Sequence, residues 1–155
     1  MIRSQKKIGE ILIEHGLITA EQLKYALEEQ ARTNKFLGSI LLKKGQLDEK
    51  DLLEALSRQF DIPLISLKIE NINWDFVKNF SAALILEHRC FPICQEEDSI
   101  TIAVNNPLDV WAMKKAEEEA QGLGLKLALV CEKDMEEAIG EYKRRMQTDI
   151  LKPLE

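Results

Sequence analysis

The sequence lacks any long hydrophobic run. No stretch approaches the roughly 20 apolar residues that a membrane-spanning helix requires. The first residues, Met1-Ile2-Arg3-Ser4-Gln5-Lys6-Lys7, also lack the apolar segment of a secretory signal peptide. We therefore expect a cytoplasmic protein that does not insert into a membrane.

Cysteine is scarce. The chain has three cysteines, Cys90, Cys94 and Cys131, which is an odd number, and all three stand in apolar surroundings. This pattern favours reduced core residues over a disulfide framework. Cys90 and Cys94 are four residues apart on a predicted strand, so we expect them to share a face, but two thiols do not make a zinc site.

Motifs that carry catalysis are missing as well. The chain has no G-x-x-x-x-G-K-S/T phosphate loop, and Gly122-Leu123-Gly124 follows a predicted helix, where it is typical of a turn. No serine, cysteine or histidine set has the pattern of a nucleophilic site. The acidic run Glu117-Glu118-Glu119 is interpreted as a solvated helix face. We therefore expect no catalysis, no metal and no cofactor in this chain.

Positive charge of the kind that binds nucleic acid is absent too. The net charge is -6, and residues 1–60 hold 10 lysines and arginines against 9 acidic residues. Residues 61–155 hold 11 basic residues against 18 acidic ones. A nucleic-acid-binding domain normally has a basic face or stripe, so we exclude that class of function.

What the sequence does contain is an internal repeat. A shift of 29 residues aligns residues 7–30 with residues 36–59, and eight positions are then identical. The identical pairs are Gly9/Gly38, Ile11/Ile40, Leu12/Leu41, Gly16/Gly45, Leu23/Leu52, Ala26/Ala55, Leu27/Leu56 and Gln30/Gln59. This similarity predicts a duplicated structural unit.

Each copy has the pattern of two helices joined by a short turn. In the first copy, apolar residues recur at helical spacing from Ile8, and Gly16 stands where a helix ends in the left-handed conformation. Thr19 then has the pattern of an N-cap, with Gln22 completing a capping box. Asp48 is the corresponding cap in the second copy. Since one such hairpin buries little surface, we expect both copies to pack together as a four-helix subdomain over residues 1–62.

The rest of the chain predicts a small α/β subdomain over residues 63–146, with a tail or linker over residues 147–155. The elements follow in the order β-β-α-β-α after a helical stretch. We predict helices across 74–88, 108–121 and 134–146, and strands over 89–95, 99–104 and 125–131, with a hairpin turn at 96–98. The fold class of the whole chain is therefore predicted as α+β.

The two copies share a more detailed pattern. The first contains Lys7-Ile8-Gly9, Leu12-Ile13, Gly16, Leu17-Ile18, Leu23, Leu27 and Gln30, and the second Phe36-Leu37-Gly38, Leu41-Leu42, Gly45, Gln46-Leu47, Leu52, Leu56 and Gln59. With its five-residue spacer, this pattern closely resembles that of the MshEN domain family. Phe91-Pro92-Ile93 and Val104-Asn105-Asn106-Pro107-Leu108-Asp109 are similar to a later part of that domain. The family occurs at the N-terminus of type II secretion and type IV pilus-assembly ATPases, and in some standalone bacterial signalling proteins.

The resemblance implies two functions, which stay open at this point. One is a regulatory or docking domain that binds a secretion or pilus assembly-platform protein, at the cytoplasmic side of the inner membrane, with ATPase activity in a separate C-terminal domain. In family members this partner is a cytoplasmic, actin-like assembly protein or domain. The other is a receptor for the second messenger cyclic di-GMP. For that ligand the resemblance implies a site of Lys7, Ile8, Gly9, Leu27, Gln30, Arg32, Phe36, Leu37, Gly38, Leu56, Gln59 and Asp109.

The candidate ligand site departs from the family pattern at two positions. The family has arginine at the start of each motif, where this chain has Lys7 and Phe36. Lysine keeps the charge but loses the planar fork of arginine, and phenylalanine loses both charge and donors. Each lost charge-assisted contact costs about 1.5–3 kcal/mol. Arg32 and Lys35 in the spacer are candidates to compensate.

Overall fold

The structure is a computed structural model that describes the backbone of residues 8–151 and the side chains of residues 8–147. The chain divides into two compact units, residues 1–62 and 63–155. The α+β class predicted from the sequence is confirmed, with helices in the first unit and a three-stranded sheet with helices in the second.

The first unit consists of the two predicted helical hairpins. Its helices are α1 (Ile8–Glu14), α2 (Ala20–Thr33), α3 (Leu37–Lys43) and α4 (Glu49–Phe60). Helix α1 packs against α3 and α4, and α2 packs against α3. The first helix of each copy therefore packs on the second helix of the other, which buries the apolar stripes that one hairpin would leave exposed.

The turns of the two copies are nearly identical. Gly16 and Gly45 have φ angles of 71° and 72°, a left-handed conformation that glycine adopts at little cost. In the first copy the amide of Gly16 donates to the carbonyl of Ile13, and the amide of Leu17 donates to the carbonyl of Leu12, each at 2.9 Å. The equivalent bonds recur in the second copy at 3.0 Å. The duplication in the sequence is thus a duplication of backbone structure.

The helix caps differ between the copies. The predicted capping box is present: Thr19 Oγ1 accepts from the Gln22 amide at 3.1 Å, and the Thr19 amide donates to Gln22 Oε1 at 2.9 Å. The prediction for Asp48 is wrong in one respect, because Asp48 occupies the N-cap position but its side chain makes no capping hydrogen bond. The residue three positions on is Asp51, whose side chain is one methylene shorter than that of Gln22, which accepts from the cap amide in the first copy.

The second unit contains a mixed sheet. Its strands are β1 (Cys90–Gln95), β2 (Ser99–Val104) and β3 (Gly124–Leu129), in the order β1-β2-β3. The first two strands form an antiparallel hairpin, and β3 runs parallel to β2 after a crossover through α6 (Val110–Glu119). Residues just after the junction of the two units extend this edge, since the Ile65 amide donates to the carbonyl of Leu129 at 2.9 Å.

A β-bulge separates the two cysteines of β1. The strand register shifts between Pro92 and Cys94, so that Cys90 is buried and Cys94 is exposed. The prediction that both thiols share a face and lie in the core is therefore wrong. An extra residue in one strand reverses the inside–outside alternation beyond it.

Two predicted segments have different limits in the structure. The predicted helix across residues 74–88 is broken into α5 (Trp74–Val77) and a π-helical turn (Ala83–Glu87). Ser81 starts the second part, because its Oγ accepts from the Leu84 amide at 3.1 Å. The last helix, α7, spans Glu132–Leu151, so the predicted tail over residues 147–155 is helical as far as Leu151.

The core of the second unit lies between α7 and the sheet. Met135, Ala138, Ile139 and Tyr142 of α7 pack in one cluster with Phe91 of β1 and Ala103 of β2. Trp74 meets the ring of Phe91 edge-on, with 5.9 Å between the ring centroids. Among the residues that the structure describes, no helix is long and apolar enough to span a membrane.

Candidate functional site

The first glycine of each repeat marks a close approach between helices. A Cβ atom at Gly9 would lie 2.5 Å from Cδ1 of Leu23, and one at Gly38 would lie 2.9 Å from Cδ2 of Leu52. Leu23 and Leu52 are themselves equivalent positions of the repeat. Packing alone therefore explains glycine at both positions, beside any role in approaching a ligand.

The residues next to these glycines differ in exposure. Ile8 and Leu37, at equivalent positions, are both buried. Phe36, which replaces an arginine of the family pattern, is half-buried and precedes α3, with its ring beside Gly38. A Cβ at Gly38 would lie 2.9 Å from Cε1 of this ring. The second motif thus presents an aromatic face where the family presents a charged donor. Lys7, the counterpart of Phe36, lies outside the described residues.

Helix α2 has an open apolar face that its counterpart α4 lacks. Leu27 is 45% exposed, whereas the equivalent Leu56 is fully buried. A shallow depression of about 500 Å³ runs along α2, lined by Ala20, Leu23, Lys24, Leu27, Glu28 and Ala31. Two of the aliphatic motif positions, Leu23 and Leu27, are therefore accessible to a ligand in the first copy.

The remaining candidates of the first unit lie near the helix ends. Gln30 donates from Nε2 to the carbonyl of Lys35 at 3.0 Å, which fixes the start of the spacer. Arg32 is exposed in the last turn of α2, and Gln59 is half-buried in the last turn of α4. Of these three, only Gln30 has a hydrogen bond that explains its residue type within the described structure.

Asp109 belongs to the second unit and has a structural task there. It is the N-cap of α6, where its Oδ1 accepts from the Ala112 amide at 3.0 Å. This bond accounts for an acidic residue at that position. The ligand role implied for Asp109 remains a prediction.

An exposed apolar pair directly after this cap escaped the sequence analysis. Val110 and Trp111 are each 74% exposed, although both are large and apolar. The buried stripe of α6 consists of Ala112 and Ala116, four residues apart, and neither Val110 nor Trp111 lies on it. That spacing could have revealed the pair, because a tryptophan outside the buried stripe of a helix must face away from the core.

A second missed feature is a groove between α2 and α3 that we call the lysine groove. It has a volume of about 500 Å³ and is lined by Glu29, Thr33, Lys35, Ser39, Ile40, Lys43 and Lys44. Its residues come from two helices and the spacer, so no local motif announces it. It shares no residue with the depression along α2.

Glu119 of α6 is a partly buried carboxylate that bonds to Ser81 and forms an ion pair with Lys115. Its Oε1 accepts from the Ser81 amide at 2.7 Å and its Oε2 accepts from Ser81 Oγ at 2.5 Å. Burial alone would raise the pKa of Glu119, but these bonds and Lys115 outweigh it, so the pKa lies below its ordinary value.

Burial, with the charges of Asp109 and Glu119, raises the pKa of the Cys90 thiol to about 12, so this thiol is inert. No group of three or more His, Cys, Asp and Glu that could hold a metal occurs within the described residues.

The fold and the motif geometry together define a small α+β module that begins with duplicated, glycine-bounded helical hairpins. The sequence profile of the MshEN domain family matches residues 60–149. The chain belongs to the MshEN domain family, and the resemblance inferred from its repeats is confirmed. The profile match falls mainly on the second unit, whereas the repeat lies in the first.

Comparisons with known proteins agree with this assignment. The chain is 28% identical over 136 residues to the type IV pilus assembly ATPase PilB of Myxococcus xanthus, covering 88% of this chain and 24% of that protein. It thus spans about a quarter of that relative's length. A solved structure of MshE with cdg (cyclic di-GMP) superposes with a TM-score of 0.78 at 28% identity, covering 89% of this chain and 99% of that one. The N-terminal domain of XpsE shares the fold, with a TM-score of 0.68 at 18% identity over 90% of this chain and 96% of that one.

Proposed function

We propose that this chain is a non-catalytic, cytoplasmic regulatory and docking domain of a type II secretion or type IV pilus-assembly ATPase. Its partner is an assembly-platform protein at the inner-membrane face, and the ATPase lies in a domain C-terminal to it. The observation that carries docking is the exposure of Val110 and Trp111, 74% each. Exposed tryptophan is typical of the few residues that dominate protein–protein binding energy.

The docking proposal is tested with the assembly-platform protein encoded in the same genome. Purified full-length proteins are compared by biolayer interferometry, with wild type against Trp111→Ala. We expect the variant to lose about 2 kcal/mol of binding free energy, or roughly 30-fold in affinity. Tyr25→Ala is the matched control, because Tyr25 is an aromatic residue of the first unit that is 52% exposed. Equal affinities for wild type and Trp111→Ala would refute the proposal that this surface binds the partner.

The ATPase setting has a simpler test. Reading the gene beyond the codon for Glu155 should reveal a P-loop motif in the same open reading frame. An open reading frame that encodes no P-loop after this domain would instead favour a standalone signalling protein of this family.

A second candidate function is cyclic di-GMP reception, which we propose on a separate observation. The superposition with the structure of MshE with cdg covers 99% of the MshE chain. This chain also keeps the first glycine of both motifs, Gly9 and Gly38. Backbone amides at a glycine can approach a phosphate closely. Leu23 and Leu27 would cover a flat face of the ligand along α2. Weaker contacts are expected where Lys7 and Phe36 replace arginine.

Calorimetry with cyclic di-GMP tests this second function. Micromolar or tighter binding that is abolished by Gly38→Trp supports a receptor if circular dichroism shows that the variant keeps its fold, because even a Cβ at this position would lie 2.9 Å from Leu52. The double variant Lys7→Arg/Phe36→Arg should bind at least tenfold more tightly than wild type. If neither protein binds, the motifs serve the fold and the docking function alone.

A further inference from the structure

The lysine groove gathers positive charge at one place on the first unit. Lys35, Lys43 and Lys44 line it together with a single carboxylate, Glu29. Lys44 forms a loose ion pair with this carboxylate, with 3.8 Å between Nζ and Oε1. Among the described residues, no ion pair engages Lys35 or Lys43. Three ammonium groups around one groove repel one another, so an anion that enters the groove has a favourable Coulomb interaction with all three.

The duplicated fold supplies an internal comparison for this groove. The positions 29 residues away from Glu29, Ser39, Lys43 and Lys44 are Arg58, Glu10, Glu14 and His15. The buried aliphatic position is unchanged, since Ile40 corresponds to Ile11 and both are buried. The same backbone therefore folds with the opposite charge pattern, and the lysines are not required by the architecture of the repeat.

Hydrogen-bond donors are available beside the ammonium groups. The Ser39 hydroxyl is exposed in the groove and is free to rotate toward a bound oxygen. Thr33 is committed differently, because its Oγ1 donates to the carbonyl of Glu29 at 2.9 Å. The groove thus offers three cationic donors and one neutral donor to a ligand rich in acceptor oxygens.

From this arrangement we propose that the lysine groove binds a phosphate group carrying two negative charges, as a phosphomonoester or diphosphate. Lysine is a common phosphate ligand because its compact ammonium acts as a point charge with three donors. The groove shares one residue with the positions considered for cyclic di-GMP, namely Lys35, which was considered there as a compensating charge, whereas Ser39, Lys43 and Lys44 belong to the groove alone. The phosphate can belong to a dissolved metabolite or to a lipid headgroup.

Two probes distinguish these sources. Inorganic pyrophosphate is titrated into the ¹⁵N-labelled chain at constant ionic strength, and amide shifts of Lys35, Ser39 and Lys43 are followed by NMR. Vesicles of phosphatidylcholine with and without phosphatidate, which carries a phosphomonoester headgroup, are tested by co-sedimentation. We expect at least one probe to bind, and Lys35→Gln and Lys43→Gln to weaken it roughly threefold each and tenfold together.

The groove also offers a substitution with the opposite effect. Glu29→Gln removes the only carboxylate and should strengthen binding roughly threefold. Lys24→Gln and Lys50→Gln remove exposed lysines that do not line the groove, and binding should stay unchanged. Binding of pyrophosphate indicates a dissolved ligand, and binding of phosphatidate vesicles alone indicates a headgroup. Silence with both probes, or equal losses in the Lys24 and Lys50 controls, overturns the proposal.

Discussion

Single backbone angles account for two of the repeated glycines. Gly16 and Gly45 have φ angles near +70°, and no atom lies within 4 Å of where a Cβ would stand. Their constraint is therefore conformational and not a matter of space. Gly140, inside α7, is the converse case, because its Cβ position is also open but its φ is not in the left-handed range.

These glycines give a matched set of substitutions. Gly16→Ala and Gly45→Ala should each lower the free energy of unfolding by about 1–2 kcal/mol, because alanine resists the left-handed conformation. Gly140→Ala should raise it by about 0.5–1 kcal/mol, since alanine is the better helix former. Urea unfolding followed by circular dichroism measures all three. A loss of stability in Gly140→Ala would show that this helix position is crowded after all.

The two cysteines of β1 should differ sharply in reactivity. With a pKa of about 12, roughly one Cys90 thiol in ten thousand is ionised at pH 8. Cys94 is exposed, so a maleimide reagent at pH 8 should label Cys94 in the folded protein and Cys90 only after unfolding. Peptide mass spectrometry identifies the labelled site. Early labelling of Cys90 would contradict the buried side of the bulge.

The same pKa shift makes a prediction about alkaline stability. The folded pKa of Cys90 is raised above its ordinary value of 9.0, so its contribution to stability is complete below pH 9 and is lost as pH rises toward 12. Cys90→Ala should therefore lose less stability than wild type between pH 9 and pH 11. Chemical unfolding at both pH values tests this, and parallel losses in the two proteins would refute it.

At the scale of elements, a tertiary contact decides where one helix breaks. Apolar content and helix-favouring residues predicted one helix across residues 74–88, but the structure interrupts it before Ser81. Ser81 holds Glu119 of α6 through its amide and its hydroxyl, and the same hydroxyl caps the following turn. This partner is 38 residues away in sequence, so local patterns could not reveal it.

The contact between Ser81 and Glu119 should make stability depend on acid. Because the folded pKa of Glu119 is lowered, its stabilisation is present above the unfolded value of 4.5 and is lost as pH falls through the folded pKa. Glu119→Gln should cost about 2 kcal/mol at pH 7, and the difference from wild type should shrink below pH 4. Glu118→Gln, at an exposed neighbour, serves as the control. A difference that is constant from pH 7 to pH 3 would be inconsistent with this role.

Features with a local or repeated signal were predictable from the sequence. The capping box at Thr19, the turn glycines and strand Ser99–Val104 all follow from short-range patterns, and the repeat fixed the order of α1 to α4. The bulge in β1 was not predicted, because it depends on what packs from elsewhere in the chain. The exposure of Trp111 was missed, although its position outside the alanine stripe of α6 could have indicated it. The lysine groove needs two helices and a spacer to exist, so the sequence shows its lysines without showing that they meet.

At the scale of the whole molecule, the residues on each side of the junction are hydrogen-bonded within their own unit. On the first side, the Ile62 amide donates to the Ser57 carbonyl at 3.1 Å, and Ser57 Oγ donates to the carbonyl of Ile62 at 2.6 Å. On the second side, the Leu129 amide donates to the carbonyl of Pro63 at 2.8 Å. Each flank of the junction is therefore a hydrogen-bonded part of its own unit.

We therefore expect the junction to resist proteolysis, and digestion with endoproteinase Asp-N tests this. This enzyme cuts before aspartate, and Asp61 is exposed at the junction, as Asp48 is between α3 and α4 and Asp98 is in the β-hairpin turn. Cleavage before Asp61 should be no faster than cleavage at those two sites. Ser57→Ala removes one hydrogen bond, worth about 1 kcal/mol, and should speed this cut up to roughly fivefold. A rapid first cut before Asp61 in the wild-type protein would mean that the bonds between Ser57 and Ile62 open readily, because only local opening admits the protease to a hydrogen-bonded backbone.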